Sequence, residues 1–261
     1  MMFQSVTDWY KRLDERLRGF PPYWRLSQAL PRHRRPVRPP EPVPELDAAQ
    51  CESDPFASLW PGDTLAQATR LTQRVLEAAA ASEVRLVPFF GTLLGQVREG
   101  GILPWDDDLD FALFQPEDVK RLQQACRAAG LSVYEHRRSS GWWFKFFDPA
   151  YEPTLNADWT FPFVDVFPFT EDPARFDNRW LLPPVPLADV LPGRKGTFLG
   201  APCWTVERPL DVLDRLYPGW REWEKSSNWA HRDNRPNPAI YVRRIETDAA
   251  GRKLRPAPAE P

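Results

Sequence analysis

Apolar residues recur at helical spacing in two long stretches of the chain, and shorter apolar runs lie between and after them. The first stretch begins at Thr64, where Thr64-x-x-Gln67 has the form of a capping box, and it predicts a helix of about five turns. Its apolar stripe consists of Leu65, Ala68, Leu71, Val75, Leu76 and Ala79. The second stretch predicts an amphipathic helix from Pro116 to about Ala129, which Gly130 ends.

The shorter apolar runs have the length and composition of strands. They cover residues 86–90, 108–114, 131–135, 142–147 and 163–167, and residues 91–98 predict a turn and a short helix. Strands and helices alternate along the chain, so we predict an α/β or α+β fold in which helices flank the sheet. After Glu171 the pattern weakens into irregular sequence rich in Pro and Trp, with one clear helix over residues 209–216.

The N-terminal part predicts two segments outside this fold. Residues 2–18 place apolar side chains at helical spacing with basic side chains on the remaining surface, which predicts an amphipathic helix. We interpret it as a helix docked on its own domain, and an interfacial membrane anchor is the alternative. The predicted organisation is therefore a helix over residues 1–20, a Pro-rich linker over 21–62, a folded domain over 63–235 and a tail over 236–261.

Charge and cysteine content narrow the classes of function. A formal net charge of -2 and a pI near 6.0 provide no basic field, which argues against nucleic acid as a partner. The three cysteines lie far apart without C-x-x-C spacing, which predicts neither disulfides nor a Cys-rich zinc site. The sequence shows no apolar run long enough for a membrane span and no signal peptide, so we predict a cytoplasmic protein, with peripheral membrane contact through residues 1–20 as the alternative.

The densest cluster of reactive side chains is a group of four carboxylates in five positions, Asp106, Asp107, Asp108 and Asp110. Alternate residues of a strand share a face, so Asp106, Asp108 and Asp110 are predicted to point one way. Asp107 is predicted to face away and to matter less. Carboxylates this close repel one another unless a cation neutralises them, and hard oxygen ligands suit Mg²⁺ or Mn²⁺. Asp165, in a predicted strand between Val and Phe, is the predicted third ligand because a lone buried carboxylate is costly.

Phosphate binding is predicted beside these acids. Gly91 and Thr92 lie between a strand and a helix, where free backbone N–H groups and the helix dipole favour an anion, although an ordinary turn has the same pattern. Arg98 and Lys145 are the cations predicted to neutralise a phosphate, with surface ion pairs as the alternative. His231 stands alone without metal-ligand spacing, so the sequence assigns it no chemistry.

Two motifs carry a resemblance to a known family. Gly-Thr-Leu-Leu-Gly-Gln-Val-Arg at residues 91–98, followed by Ile-Leu-Pro-Trp-Asp-Asp-Asp-Leu-Asp at 102–110, resembles the signature of the LicD and fukutin-related phosphotransferases. Val-Asp-Val-Phe-Pro around Asp165 is similar to a later motif of that family, and residues 216–220 are similar to its Tyr-Gly-x-x-Trp stretch. The resemblance covers roughly residues 64–229 and implies the mixed sheet of the nucleotidyltransferase superfamily.

The resemblance also implies an activity. It is the metal-dependent transfer of a phospho-alcohol, such as phosphocholine, ribitol phosphate or glycerol phosphate, from a CDP-linked donor to a hydroxyl of a glycan or glycoconjugate, with release of CMP. Asp108, Asp110 and Asp165 are the implied ligands of Mg²⁺ or Mn²⁺. Either Asp165 or Asp106 is the implied acceptor of the proton from the glycan hydroxyl.

Three other functions fit part of the pattern. A nucleotidyltransferase that moves NMP to a protein or a small molecule would use the same three acids. A non-catalytic scaffold in glycan assembly would keep the fold without turnover. A sugar transferase with an Asp-x-Asp motif shares the metal chemistry but lacks the Gly-Thr-Leu-Leu-Gly signature, and it ranks last.

Overall fold

The computed structural model describes residues 44–60, 62–138, 141–155, 157–169, 185–227 and 229–254. Contacts between residues divide the chain into two units, one of residues 43–136 with 141–261 and the other of residues 1–42 with 137–140. The first unit holds both hydrophobic cores and all the predicted site residues. The predicted N-terminal helix, and the predicted linker up to residue 43, lie outside the described residues.

A five-stranded mixed sheet forms the centre of the first unit. Its strands are β2 (Leu86–Pro88), β3 (Asp110–Leu113), β4 (Ser132–Arg138), β5 (Gly141–Pro153) and β6 (Thr160–Pro168), and their spatial order is β2-β3-β6-β5-β4. Strand β3 pairs antiparallel with β2 and parallel with β6, and β6 pairs antiparallel with β5. This confirms the predicted mixed α/β fold, and the parallel pair brings two separate acidic motifs to neighbouring strands.

Helices cover both faces of this sheet. They are α1 (Thr64–Ala81), α2 (Phe90–Arg98), α3 (Val119–Ala128), α4 (Leu187–Val190) and α5 (Pro209–Leu216). Alternate residues of β3 point into different cores. Phe111 and Leu113 pack in the core that contains α1 and α3, and Ala112 packs in the core that contains α2 and α5. The 3.6-residue periodicity of α1 therefore reflects one face packed on the sheet and one face in solvent.

The ends of these elements differ in detail from the sequence predictions. Helix α1 has the predicted length, but Thr64 is its first helical residue and Asp63 precedes it without a side-chain capping bond, so the capping box does not form. Gly130 follows helix α3, as the sequence predicted, and its φ of +78° is the left-handed conformation that glycine commonly adopts after a helix. Strand β3 begins only at Asp110, so Asp106 and Asp108 lie in the loop before it.

Two segments predicted to lie outside the domain are part of it. Strand β1 (Glu45–Asp47) pairs parallel with β12 (Ile240–Arg244), which pairs antiparallel with β9 (Trp223–Lys225). Phe56 and Trp60 lie in the predicted linker and are 3% and 5% exposed. Trp60 belongs to the core that contains α1 and α3, and Phe56 belongs to the core that contains α2 and α5. Each segment packs against residues distant in the sequence, so a local Pro-rich pattern gave no sign of this packing.

A buried carboxylate fastens the C-terminal segment. Glu224 in β9 is fully buried, and its Oε2 accepts hydrogen bonds from Arg243 at 2.7 and 2.9 Å, while its other oxygen pairs with Lys253.

The first unit also contains two hairpins. One pairs β7 (Arg194–Phe198) with β8 (Ala201–Thr205), and the other pairs β10 (Trp229–Ala230) with β11 (Arg235–Pro236). Among the described residues, no helix has the length and apolar character that a membrane span requires.

Candidate functional site

Three of the predicted acids converge at one point of the sheet. Asp110 in β3 lies directly opposite Asp165 in β6, because the two parallel strands pair in that register. The Asp165 backbone N–H donates to the Leu109 carbonyl at 2.8 Å, which continues this pairing into the preceding loop. One side-chain oxygen from each of Asp108, Asp110 and Asp165 lies within 4.8 Å of the others, so the three can bind one metal ion.

The fourth acid, Asp106, joins them from the loop rather than from a strand. Its carboxyl group lies beside the Asp108 carboxylate, whose charge acts on it, and packs over Gly91 at the start of α2. A Cβ atom built on Gly91 would overlap Asp106 Oδ2, so the absence of a side chain at position 91 makes room for this carboxylate. The predicted convergence of Asp106, Asp108 and Asp110 is therefore seen, but a loop conformation produces it and not strand alternation.

Burial and close spacing oppose the simultaneous ionisation of these carboxyl groups. Desolvation, followed by the charge of Asp108, holds the pKa of both Asp106 and Asp110 well above the usual range for aspartate. Desolvation also raises the pKa of Asp165, although the nearby Lys145 ammonium opposes the shift. Without a bound cation, burial and mutual repulsion therefore favour the protonated forms of these carboxyl groups. A divalent ion would favour their ionised forms and so lower the raised pKa values.

Lys145 neutralises Asp165 directly. Strand β5 places Lys145 opposite Asp165, and Nζ donates to the two carboxylate oxygens at 2.6 and 2.9 Å. Both side chains are more than nine-tenths buried, and the ammonium lies 3.6 Å from the centroid of the Phe163 ring. Lys145 therefore already has a carboxylate partner within the cluster. A phosphate contact by Lys145 would have to be made while its ammonium is bound to Asp165.

Removing Lys145 is expected to destabilise the protein. The Lys145→Met variant leaves Asp165 buried without its counter-ion, and breaking such a pair costs about 3–5 kcal/mol of the free energy of unfolding. Urea unfolding in EDTA measures the loss. The double variant Lys145→Met/Asp165→Asn is the control, and it is expected to recover most of it because no unpaired charge remains. A loss below ~1 kcal/mol in the single variant would contradict the pairing.

Gly91 and Thr92, the residues predicted to bind phosphate, contact the acidic cluster. The Thr92 hydroxyl is buried and accepts a hydrogen bond from the Asp110 backbone N–H at 2.7 Å, so it fixes the start of β3. The space over Gly91 is filled by Asp106. Both residues therefore shape the acidic cluster, and phosphate contact at either position stays a prediction.

Arg98 makes its hydrogen bonds with the C-terminal segment. Its guanidinium is buried, donates to the carbonyls of Trp220 and Trp223 at 3.3 and 3.4 Å, and lies over the Trp105 ring. Desolvation lowers the pKa of Arg98, and Glu224 opposes the shift. These contacts tie α2 to the C-terminal segment, and a phosphate contact by Arg98 stays a prediction.

The sequence reasoning missed two functional candidates and misjudged a third. Asp107, predicted to face away, is buried, and its Oδ1 lies 2.9 Å from His231 Nδ1. His231 Nε2 in turn lies 3.2 Å from Asp108 Oδ2. Burial lowers the pKa of His231, but Asp108 and Asp107 outweigh it and raise the pKa to about 9. Because His231 follows Asp107 by 124 residues, local spacing gave no signal for this contact.

The other missed candidate is Tyr217, directly after α5. Desolvation raises the pKa of its phenol well above the usual value, and the charges of Asp110, Asp106 and Asp108 raise it further. The phenol therefore lies within electrostatic reach of the acidic cluster and stays protonated. The resemblance of residues 216–220 to a family motif was the one signal that pointed to this position.

Comparisons with known proteins bear on the central part of the chain. Residues 83–204 match the family model described as LicD/FKTN/FKRP, nucleotidyltransferase domain. The matched stretch contains Asp108, Asp110 and Asp165, whereas His231 lies beyond it. A search of curated protein sequences gave no match.

Solved structures with partial similarity include two of the antibiotic-resistance factor ANT(2'')-Ia, each at 16% sequence identity. The complex with adenylyl-2''-tobramycin has a TM-score of 0.37 and covers 58% of this chain and 75% of that one. The solution structure has a TM-score of 0.38 and covers 65% and 80%. MenT4, a nucleotidyltransferase toxin of Mycobacterium tuberculosis H37Rv, is 16% identical with a TM-score of 0.25, and covers 38% and 36%. We draw nothing about substrate from these three structures.

Proposed function

Because this chain contains a nucleotidyltransferase domain of the LicD/FKTN/FKRP family, we propose that it transfers a phospho-alcohol from a CDP-linked donor to a hydroxyl group of a glycan. At the coarser level it is a transferase that acts on nucleotide-type substrates. The observation that carries the finer proposal is the convergence of Asp108, Asp110 and Asp165 inside the matched domain. A phosphocholine, ribitol phosphate or glycerol phosphate group is the proposed cargo, and CMP is the proposed leaving group.

The residues of the cluster fit a divalent cation. Five carboxylates, at positions 106, 107, 108, 110 and 165, meet only two basic side chains in direct contact among the described residues, Lys145 and His231. The donors offered by Asp108, Asp110 and Asp165 are carboxylate oxygens, which Mg²⁺ and Mn²⁺ prefer. When bound, such an ion would neutralise charge on the donor pyrophosphate and on the departing CMP.

The side chains of the protein supply position and proton transfer. Thr92 fixes the start of β3 and thereby the direction of the Asp110 side chain. Lys145 holds Asp165 beside Asp110 and limits its rotation through two hydrogen bonds. We assign the proton of the acceptor hydroxyl to Asp106, because it adjoins Asp108 but lies outside the three-carboxylate set. It would accept this proton as a carboxylate, the form that a cation bound beside it would favour.

The acceptor is proposed as a glycan or glycoconjugate, on the strength of the LicD-type motifs at residues 91–110 and around Asp165. Nucleic acid is not a proposed partner, because the net charge of -2 provides no basic field for it. A cytoplasmic location belongs to the same proposal, with peripheral membrane contact through residues 1–20 as the alternative to a helix docked on its own domain.

Product analysis separates this function from transfer of an NMP group. The purified protein is incubated with a glycan acceptor, Mn²⁺ and either a CDP-linked alcohol or a nucleoside triphosphate, and the products are resolved by ion-exchange chromatography and mass spectrometry. The proposal predicts free CMP and an acceptor heavier by the phospho-alcohol. Pyrophosphate from a nucleoside triphosphate, with an acceptor heavier by NMP, would contradict it and favour nucleotidyl transfer.

A further inference from the structure

The turn of the β10–β11 hairpin lies against the acidic cluster. Residues 231–234 connect the two strands, and the first two of them contact Asp107. Asp107 Oδ1 lies 2.9 Å from His231 Nδ1, and Asp107 Oδ2 accepts a hydrogen bond from the Arg232 backbone N–H at 3.0 Å. Asp107 directly precedes Asp108, one of the three proposed metal ligands. The Arg232 side chain therefore begins at the edge of the proposed metal site.

The Arg232 guanidinium is accessible to solvent and weakly held. Its side chain is 40% exposed, and its Nη2 lies 3.3 Å from Oε2 of Glu152, whose side chain is 70% exposed. The guanidinium carbon also lies 5.9 Å from the centroid of the Phe161 ring, within the range of an attraction between a cation and a ring face. An exposed ion pair with a single contact contributes little stability. Arg232 can therefore exchange Glu152 for an anion that binds more strongly.

Three other basic side chains of this region are already bound by groups of the protein. Lys145 Nζ donates to both carboxylate oxygens of the buried Asp165. His231 contacts a carboxylate of the cluster with each of its two ring nitrogens. Arg98 is buried and donates to two backbone carbonyls. Arg232 differs from these three because both its guanidinium and its carboxylate partner are exposed.

We infer that Arg232 binds a phosphate group of a substrate at the edge of the acidic cluster, in exchange for Glu152. A guanidinium can donate two parallel hydrogen bonds to a phosphate, and such charged pairs are strong. Arg232 lies beyond residues 83–204, so the family match assigns it no role. The inference rests on the proposed function for the source of the phosphate, which is either the donor pyrophosphate or a phosphate on the acceptor.

Isothermal titration of the full chain tests the inference without turnover. Inorganic pyrophosphate with Mn²⁺ represents the donor, and glucose 6-phosphate, compared with glucose, represents a phosphorylated acceptor. Arg232→Gln is expected to weaken binding of one of these two phosphate probes about 10-fold, and that probe identifies the source. Arg232→Lys keeps the charge without the planar fork, so it is expected to recover part of the loss.

Arg235→Gln is the matched control. It removes the same charge from the same hairpin, but the Arg235 guanidinium pairs with Asp233 at 3.0 and 3.1 Å. This variant is expected to bind both probes as the wild type does. Equal binding by the wild type and Arg232→Gln, an equal loss in Arg235→Gln, or no binding of either probe by the wild type would overturn the inference.

Glu152→Gln tests the exchange itself. The variant removes the carboxylate that competes for Arg232, so it is expected to tighten binding of the same probe roughly two- to fivefold. In the Arg232→Gln background it is expected to change nothing, and an equal gain in both backgrounds would contradict the exchange. Failure of CDP-alcohol turnover with Arg232-dependent binding intact would reject the proposed donor and leave the phosphate site standing. Turnover with phosphate binding independent of Arg232 would reject the inference alone.

Discussion

The Asp110→Asn variant is expected to lose at least ~1,000-fold in turnover while keeping its fold. The amide is neutral and a weaker ligand, so the three-carboxylate set loses the charge that a divalent ion requires. Asp110 lies at the start of β3, where its backbone N–H is held by Thr92, so the substitution leaves that hydrogen bond in place. Steady-state rates at saturating Mn²⁺ and donor measure the loss.

The same substitution is expected to stabilise the metal-free protein at pH values above the raised pKa of Asp110. The folded state raises the pKa of Asp110 above its unfolded value, chiefly by desolvation and then by Asp108. A group with a raised folded pKa contributes stability at low pH that is lost as the pH rises through the folded value, so the wild type in EDTA weakens with rising pH. Asp110→Asn removes this loss, and each kcal/mol recovered raises the Tm by about 2–4 °C.

An exposed aspartate provides the matched control. Asp63 precedes α1 without a side-chain capping bond, so Asp63→Asn makes the same chemical change away from the site. It is expected to leave both turnover and the pH dependence of the Tm unchanged. Wild-type turnover in Asp110→Asn, or a Tm at pH 8 in EDTA below that of the wild type, would contradict the account of this site.

The Gly91→Ala variant is expected to lower turnover about 10- to 100-fold with a small change in Tm. The new Cβ would overlap Asp106 Oδ2, so the Asp106 carboxyl group would have to leave its present position beside Asp108. Displacement of a positioned proton acceptor accounts for a loss of about this size. The loss is expected in kcat, since the three-carboxylate set that holds the metal is untouched.

Gly101→Ala is the control for Gly91→Ala. A Cβ at Gly101 would meet only Leu199 Cδ2, at 3.9 Å, which is an ordinary contact, and its φ lies outside the left-handed region. This variant is expected to retain wild-type turnover. An equal loss of activity in both variants would assign the effect to the loop as a whole and contradict the specific role of Gly91 and Asp106.

Local pattern predicted the elements of the fold well, because they depend on local periodicity. Helix α1 and the strands that carry Asp110 and Asp165 follow directly from apolar spacing. Their partners in the sheet do not, since no periodicity states that β3 pairs with β6 in the register that places Asp110 opposite Asp165. The order of motifs in the family that the sequence resembles supplied the expectation that Asp110 and Asp165 lie together.

The errors in the site arise where contacts span long distances in the sequence. Asp107 was expected to face away because strand alternation was applied to a segment that is a loop. Arg98 was predicted to neutralise a phosphate or to form a surface ion pair. It is buried instead, and its hydrogen bonds go to the carbonyls of Trp220 and Trp223, more than 120 residues later. A local pattern contains nothing about such contacts.

The most direct test of the central claim is thermal stabilisation by nucleotides with and without Mn²⁺. A panel of CDP-choline, CDP-ribitol, CDP-glycerol, ATP and UDP-glucose is compared on the wild type and on Asp110→Asn. Binding at 100 times Kd contributes about 2.7 kcal/mol, which is a rise in Tm of roughly 5–10 °C for a domain of this size. We expect this rise for one CDP-linked alcohol, only with Mn²⁺ and only in the wild type. No shift with any nucleotide, or an equal shift in the variant, would contradict the claim that these carboxylates bind a metal-dependent nucleotide donor.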